Sequence, residues 1–315
     1  MTLATPTVYI PTLEGGERLA ACLTALESQS ADCRVVVADN GPGTGCAELL
    51  STRFPEVARI GFDGRNLGFG TALNRAVGAG GEGPLIFLND DAVPGPEFVE
   101  HLVAAHRADG TAMVAGVLLR ATDPGRIDSA GIVCDRTLTA WDYLTGEPVE
   151  NLEVAADPLG PTGGAALFDR SAFEEVGGFD ERIFLYYEDL DLALRMRLAG
   201  HNCRLAPNAQ ALHESSATLG RQSAAKYRQT GFSRGYLLRK YGIMSHPGLA
   251  FKVAFSDTTA GLAQLAVDRT PAGLKGRIDG WRSAAGVARL EAPLDHLEPA
   301  SLRRHFKVRL ARRRT

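Results

Sequence analysis

The sequence predicts an α/β protein: a mostly parallel sheet flanked by helices, followed by a C-terminal helical extension. Three observations support this fold class. Short apolar runs alternate with amphipathic segments through the first 120 residues, the pattern of repeated β–α units. Runs such as 85–88 are continuously apolar, as expected for strands covered on both faces. Beyond residue 220 we predict long helices separated by prolines, so we divide the chain into 1–220 and 221–315.

Each predicted strand is a short apolar or β-branched run that stops at a proline, an acid or a glycine-rich turn. The predicted strands are 8–10, 34–38, 57–61, 85–88, 113–119 and 203–206.

The predicted helices are segments with apolar residues at helical spacing, several of them bounded by proline or glycine. They are 16–28, 45–53, 69–77, 96–107, 171–176, 188–199, 226–241, 250–267 and 276–290. Residues 120–157 are rich in turn formers, and we expect them to wrap the substrate side of the domain.

Composition excludes several classes of protein. The chain has 315 residues, with a hydrophobic fraction of 45% and a charged fraction of 23%, which is ordinary for a soluble globular protein. Apolar runs stay well below the roughly 18 residues of a membrane span, and the N-terminus lacks a secretory signal pattern. Five scattered cysteines are typical of reduced thiols, so we expect a cytoplasmic protein. A net charge of -3 argues against nucleic acid as a partner.

The segment 299–315 differs from this average. It holds seven Lys or Arg residues and no acid, and Leu302, Phe306 and Leu310 recur in it at helical spacing. Two interpretations stay open: a solvated terminal segment, or peripheral contact with the anionic inner face of the cell membrane. The sequence also leaves open whether the chain forms a homodimer.

Acidic or glycine-rich turns follow three predicted strands. Thr12 comes after the first, Asp39 after the second, and the triplet Asn89-Asp90-Asp91 after 85–88. Ligands of an open α/β sheet collect at the carboxyl ends of its strands, so we expect an acidic cleft there. One or two carboxylates could hold Mg²⁺ or Mn²⁺ against the diphosphate of a nucleotide sugar. The alternative for each acid is an ordinary turn or helix cap.

A second block of candidate residues lies between Gly177 and His213. Glu188 and Asp189 begin a predicted helix, where one carboxylate could act as a base or both could simply interact with the helix dipole. His213 is a candidate metal ligand, although a lone histidine is more often structural.

The two blocks together resemble the inverting glycosyltransferases of family 2, especially the bacterial rhamnosyltransferase-like branch, over roughly residues 7–241. The resemblance implies a GT-A fold, a nucleotide-sugar donor, a divalent metal ion and inversion at the anomeric carbon. It assigns the metal to Asp91 and His213, and general-base catalysis to Asp189 with Glu188 beside it. It also assigns a further set of residues to contact with the donor or to the donor's close approach to the backbone: Thr12, Asp39, Asn66, Gly68, Asn89, Asp90 and Gly164.

This resemblance favours dTDP-rhamnose as donor, with other dTDP- or UDP-sugars as alternatives, and a hydroxyl acceptor on a lipid-linked glycan or a small molecule. A sugar nucleotidyltransferase would need more basic residues after the first strand, and an NAD enzyme would need Gly-x-Gly-x-x-Gly there. The remaining alternative is a non-catalytic sugar-nucleotide-binding or scaffold protein, although Asp91, Asp189 and His213 argue against it.

Overall fold

A computed structural model of the protein describes residues 4–214 and 223–300. Within these ranges the strands are β1 (Thr7–Thr12), β2 (Arg34–Asp39), β3 (Ala58–Gly61), β4 (Leu85–Leu88), β5 (Ala92–Pro94), β6 (Met113–Arg120), β7 (Asp123–Ser129), β8 (Ile132–Cys134), β9 (Ala140–Asp142), β10 (Ala165–Phe168) and β11 (Cys203–His213). Nine of them form the central sheet, in the order β3-β2-β1-β4-β10-β6-β11-β5 with β7 paired to β6. A separate two-stranded sheet contains β8 and β9.

The α/β prediction is confirmed, and the sheet combines a parallel half with a mixed half. β1 pairs in parallel with β2 and β4, and β2 pairs in parallel with β3. Beyond β4 the sheet is mixed, because β10 inserts antiparallel between β4 and β6. The strands predicted from the sequence do not include β10. Four small or apolar residues do not identify a strand, and β10 depends on hydrogen bonds from both neighbours.

The predicted helices are present, with shifted ends. They are α1 (Glu17–Glu27), α2 (Gly45–Arg53), α3 (Phe69–Gly78), α4 (Phe98–Asp109), α5 (Arg170–Glu175), α6 (Glu188–Leu198), α7 (Ala224–Lys240), α8 (Pro247–Val267) and α9 (Ala272–Ser283). The prediction of a helix over 276–290 is wrong at both ends. Three glycines of α9 weakened its helical pattern. Gly276 and Gly280 pack closely against the backbone of α7, and Gly273 packs against the Gln264 side chain of α8.

The sheet has a hydrophobic core on each face. Residues of α1, α2 and α4 pack on one face, and residues of α3, α5, α6 and α7 pack on the other. The second core contains an aromatic cluster in which the Phe87 ring centroid lies 5.4–5.6 Å from those of Phe168, Phe173 and Phe179. Phe87 lies on β4, so this cluster packs against the strand that precedes the acidic triplet.

A buried ionic cluster ties α6 to α7. Lys240 on α7 donates hydrogen bonds of 2.7 Å to both Asp180 and Asp191, and Arg195 donates one of 2.8 Å to Asp191. Asp191 is fully buried, so its charge depends on these partners. The proposed boundary between 1–220 and 221–315 stays a prediction.

Every helix within residues 4–214 and 223–300 is too short or too polar to cross a bilayer. The predicted membrane-contact residues Leu302, Phe306 and Leu310 lie outside the described residues.

Glycines allow α7 and α9 to approach within backbone contact. A Cβ atom added at Gly280 would lie 1.9 Å from the carbonyl oxygen of Phe232, and one added at Gly235 would lie 2.1 Å from that of Arg277. Both obstacles are backbone atoms, so no side-chain rotation could relieve the clash.

We therefore expect Gly280→Ala to destabilise the fold by about 1–3 kcal/mol or more, as overpacking does. The matched control is Gly261→Ala on α8, where a Cβ would meet no atom within 4 Å. That substitution should be neutral, or stabilising by up to about 1 kcal/mol, because alanine is the better helix former. Urea denaturation of both variants measures the difference. Equal stabilities would contradict the close approach of α7 and α9.

Candidate active site

The ends of β1, β2 and β4 meet at one edge of the sheet, as the sequence predicts. Thr12 and Asp39 are register partners at the ends of their strands. The Thr12 hydroxyl donates a 2.6 Å hydrogen bond to Asp90 Oδ2, which joins the end of β1 to the triplet after β4. Burial raises the pKa of Asp90 more than the Thr12 hydrogen bond lowers it, and the neighbouring Asp91 raises it further.

Asp39 forms an ion pair that the sequence analysis missed. The Nε and Nη2 atoms of Arg59 on β3 both lie 2.8 Å from Asp39 Oδ2, and the aspartate side chain is 4% exposed. Nothing in the sequence around Arg59 marks it as a partner, because the contact depends on the pairing of β2 with β3. Any ligand at Asp39 would meet a carboxylate already held by a guanidinium.

Asn66 and Gly68 shape a loop over this edge. Asn40 Nδ2 donates to Asn66 Oδ1 at 3.1 Å, and Asn40 Oδ1 accepts from the Leu67 amide at 2.7 Å. Gly68 has a φ of 85°, and a Cβ there would lie 2.3 Å from the carbonyl oxygen of Phe184. The structure therefore places Gly68 against the segment that precedes Glu188 and Asp189, the acid pair.

Asp91 and His213 come together although 122 positions separate them in the chain. Asp91 Oδ1 lies 3.3 Å from His213 Nε2, and β11 delivers the histidine by pairing with β5, where His213 is the register partner of Ala92. The sequence analysis placed His213 beyond a strand ending at residue 206. The strand runs on to His213 after a register shift between Leu205 and Gln210.

Asp128 is a further site residue that sequence reasoning missed. Its Oδ2 lies 2.7 Å from His213 Nδ1, on the ring edge opposite Asp91. Burial lowers the pKa of His213, but the hydrogen bonds to Asp128 and Asp91 outweigh it and raise the pKa to about 9. The imidazole is therefore a cation between two carboxylates. The sequence marks Asp128 only as an acid within a strand, and such acids are too common to indicate a functional site.

The acid pair begins α6 after a strained turn. Tyr186 and Tyr187 have φ values of 66° and 70°, a region that tyrosine rarely adopts and that clusters at functional sites. Burial and the neighbouring Asp189 raise the pKa of Glu188, whose Oε2 has no hydrogen-bond partner among the described residues. Burial, with a contribution from Asp142, also raises the pKa of Asp189, to about 6.

Gly163 and Gly164 connect the triplet after β4 with the acid pair of α6. The amide of Gly163 lies 3.5 Å from Asp189 Oδ2, a long hydrogen bond. The adjacent Gly164 accepts from the Asn89 amide at 3.1 Å, and a Cβ on it would lie 2.7 Å from the Asn89 side chain. Asp189 and the triplet therefore face one small stretch of backbone, and Gly164 acts through this close approach.

Asp91 and His213 fit a divalent cation. Adjacent ligands of an octahedral ion, each at about 2.1 Å, lie about 3 Å apart, close to the 3.3 Å observed. In the ranges that the structure covers, no group of three or more His, Cys, Asp or Glu side chains is arranged around a common metal position. Two protein ligands suffice where substrate phosphates and water complete the coordination.

Comparison with known proteins places the chain in a family. Residues 7–177 match the model of Glycosyl transferase family 2. N-acetylglucosaminyl-diphospho-decaprenol L-rhamnosyltransferase of Mycobacterium tuberculosis is 33% identical over 249 residues, covering 71% of this chain and 80% of that protein. O-antigen biosynthesis protein RfbC of Myxococcus xanthus is 29% identical over 142 residues, covering 42% of this chain and 11% of that protein.

Two solved structures share the fold. The mannosyltransferase of Pyrobaculum calidifontis, in complex with GDP-Man and Mn²⁺, superposes with a TM-score of 0.54 at 16% identity over 92% of this chain and 77% of that one. GalNAc-T7 with UDP, GalNAc and Mn²⁺ gives a TM-score of 0.61 at 13% identity over 91% of this chain and 55% of that one. The predicted GT-A fold is confirmed. The chain belongs to glycosyltransferase family 2, and it is a glycosyltransferase of the rhamnosyltransferase branch.

Proposed function

We propose that this glycosyltransferase transfers rhamnose from dTDP-rhamnose to a hydroxyl of a lipid-linked glycan, with inversion and with a divalent metal ion. One observation carries the proposal: Asp189 contacts Gly163, and the adjacent Gly164 contacts Asn89, which begins the triplet whose last residue, Asp91, meets His213. The mycobacterial relative supports the choice of sugar and of a diphospho-polyprenol acceptor.

The residues divide into a donor side and an acceptor side. On the donor side we assign Thr12, Asp39, Asn89 and Asp90 to the nucleotide, because they lie at the ends of the strands. Asp91 and His213 would hold Mg²⁺ or Mn²⁺, which when bound offsets the charge of the diphosphate leaving group.

On the acceptor side, Asp189 receives the proton of the attacking hydroxyl. A carboxylate serves this role best when its pKa lies near the working pH, and burial raises the pKa of Asp189 in that direction. Its two carboxylate oxygens each accept a backbone hydrogen bond, Oδ1 from the Leu190 amide and Oδ2 from the Gly163 amide. Glu188, more deeply buried and with its pKa raised further, is the group that stays protonated beside it. A single displacement by a hydroxyl activated opposite the diphosphate inverts the anomeric carbon.

The proposal is tested by turnover with a donor panel of dTDP-rhamnose, UDP-sugars and GDP-mannose, each with Mn²⁺ or with chelator. We expect transfer from dTDP-rhamnose with metal and an inverted product anomer by NMR. In thermal-shift measurements dTDP should stabilise the protein in the presence of metal, because a ligand that binds the native state raises stability. Asp91→Asn should remove the metal-dependent part. Full activity with chelator would contradict the metal assignment, and a preference for GDP-mannose would contradict the donor.

Asp189→Asn should lower kcat by about 10²-fold or more, because the amide cannot accept the proton. Nucleotide binding should be retained. Glu181→Gln, an exposed acid on the same segment, is the matched control and should leave kcat unchanged. In the wild-type enzyme kcat/KM should fall as the pH drops through about 6, where Asp189 becomes protonated. Near-native turnover in Asp189→Asn would remove Asp189 as the base.

His213 provides a pH test of the metal site. Its folded-state pKa of about 9 exceeds the ordinary histidine value, so the stability it contributes is fully present below about pH 6.5. That stability is lost as the pH rises through 9. In metal-free protein, NMR should show a protonated His213 imidazole at pH 7.5. Mg²⁺ with dTDP should displace the proton, since metal ligands are deprotonated.

Asp128→Asn should lower the pKa of His213 and weaken metal-dependent turnover by about 10–100-fold, as loss of a ligand's supporting carboxylate does. Asp123→Asn, an exposed acid on the same strand, is the control. A neutral His213 at pH 7.5 in the metal-free wild type, or equal behaviour of the two variants, would contradict the arrangement.

A further inference from the structure

Two C-terminal helices present large apolar side chains to solvent. On α8, Phe251 is 71% exposed and Leu262 is 62% exposed, with Phe255 between them at 44%. On α9, Leu274, Ile278 and Trp281 are exposed by 52%, 44% and 37%. We call these six residues the apolar face. Contiguous exposed apolar surface marks an interaction site more often than scattered single residues do.

The spacing of these residues makes one surface of them. Positions 251, 255 and 262 repeat at helical intervals, as do 274, 278 and 281, so each helix carries a stripe along one side. A cavity of about 420 Å³ lies between the helices and is lined by Leu262, Leu274 and Trp281 together with inner residues. The face therefore has both projecting rings and an apolar groove.

Charge is nearly absent from α8. From residue 253 to 267, a stretch that the structure describes throughout, the one charged residue is Asp257. That carboxylate is 13% exposed and turns inward to Arg234 and Arg277, at 2.9 and 3.3 Å. The outer side of α8 along this stretch is consequently neutral, which favours an apolar environment over water.

A strongly basic segment begins at the edge of this face. Lys252 Nζ donates a 3.2 Å hydrogen bond to the carbonyl oxygen of Ala300, so the described chain ends beside Lys252, the neighbour of Phe251 on α8. Residues 301–315 then contain seven Lys or Arg residues and no acid. An apolar face that is neutral along α8 and adjoins a cluster of positive charge matches the acyl region and the anionic headgroups of a bilayer.

We propose that the apolar face of α8 and α9 docks on an anionic lipid bilayer, with residues 301–315 as its electrostatic partner. The inference extends the proposed function, because a lipid-linked acceptor is reached at such a surface. A second copy of the chain is a poorer occupant. Pairing two apolar faces would bring two segments of seven positive charges to the same interface, and like charges repel across it.

The apolar face is connected through α7 to the acceptor side of the site. On α7, which packs against α9, Ser233 donates to the carbonyl oxygen of Leu185, and the Lys226 ammonium lies 5.5 Å from the centre of the Tyr186 ring. These residues support the strained turn that precedes Glu188 and Asp189. A bilayer on the apolar face would lie one helix layer from this turn.

The test is sedimentation of the full-length protein with vesicles of phosphatidylcholine and phosphatidylglycerol. The triple variant Phe251→Ser, Phe255→Ser, Leu262→Ser should lower the partition constant by about tenfold or more, because each side chain loses a favourable transfer from water. Val154→Ser is the matched control, since Val154 is an apolar residue 87% exposed outside the face. It should bind as the wild type does, and high salt should weaken binding of all three proteins.

Tryptophan fluorescence gives an independent readout that avoids the triple variant. The chain has two tryptophans, Trp141 and Trp281. In Trp141→Phe, brominated lipid should quench the emission of Trp281, whereas in Trp281→Phe the emission of Trp141 should be far less affected. Quenching confined to Trp141 would overturn the proposed orientation.

Two other results would also overturn the inference. In the first, the triple variant binds vesicles as strongly as the wild type does, and deletion of 301–315 abolishes binding. In the second, the wild type is a dimer that does not bind vesicles, and the triple variant is a monomer. That result would make the apolar face a subunit interface. Transfer to a soluble acceptor analogue is measured in parallel. Its absence would refute the proposed function and leave the vesicle result unaffected.

Discussion

The site depends on a close backbone approach at Gly163 and Gly164. A Cβ at Gly163 would lie 2.8 Å from the Phe69 ring, and one at Gly164 would lie 2.7 Å from the Asn89 amide. Because neither position can hold a side chain, the acid pair of α6 and the triplet after β4 share one narrow space. In the proposed reaction the reacting groups must be held within a few tenths of an ångström, and the absence of side chains at Gly163 and Gly164 allows that close approach.

Burial of charge is the second theme of the structure. Desolvation raises the pKa of Glu188 and Asp189, and two carboxylates keep His213 protonated. Elsewhere Lys240 compensates Asp180 and Asp191 beneath α6. Such groups contribute little to stability compared with apolar residues of the same size, but removal of one partner is costly. The cluster around Lys240 joins α6 to α7.

The C-terminal helices have two different surfaces. The inner side of α9 is small and glycine-rich, which allows backbone contact with α7, whereas its outer side carries Leu274, Ile278 and Trp281. A helix that needed only to cover the core would expose polar residues on its outer side. The same two helices therefore connect the strained turn before Glu188 with the surface that we propose docks on lipid.

Local patterns predicted the α/β class, the first four strands and the acids at their ends. This was possible because a strand and the turn that follows it are recognised from residues adjacent in the sequence. The family resemblance added roles for Asp91, Asp189 and His213, and these roles stay predictions. The pairs Asp39–Arg59 and His213–Asp128, the strand Ala165–Phe168 and the true span of α9 could not be predicted. Each depends on contacts between distant parts of the chain, and a carboxylate or a glycine has no local signal of the partner that folding brings within 3 Å of it.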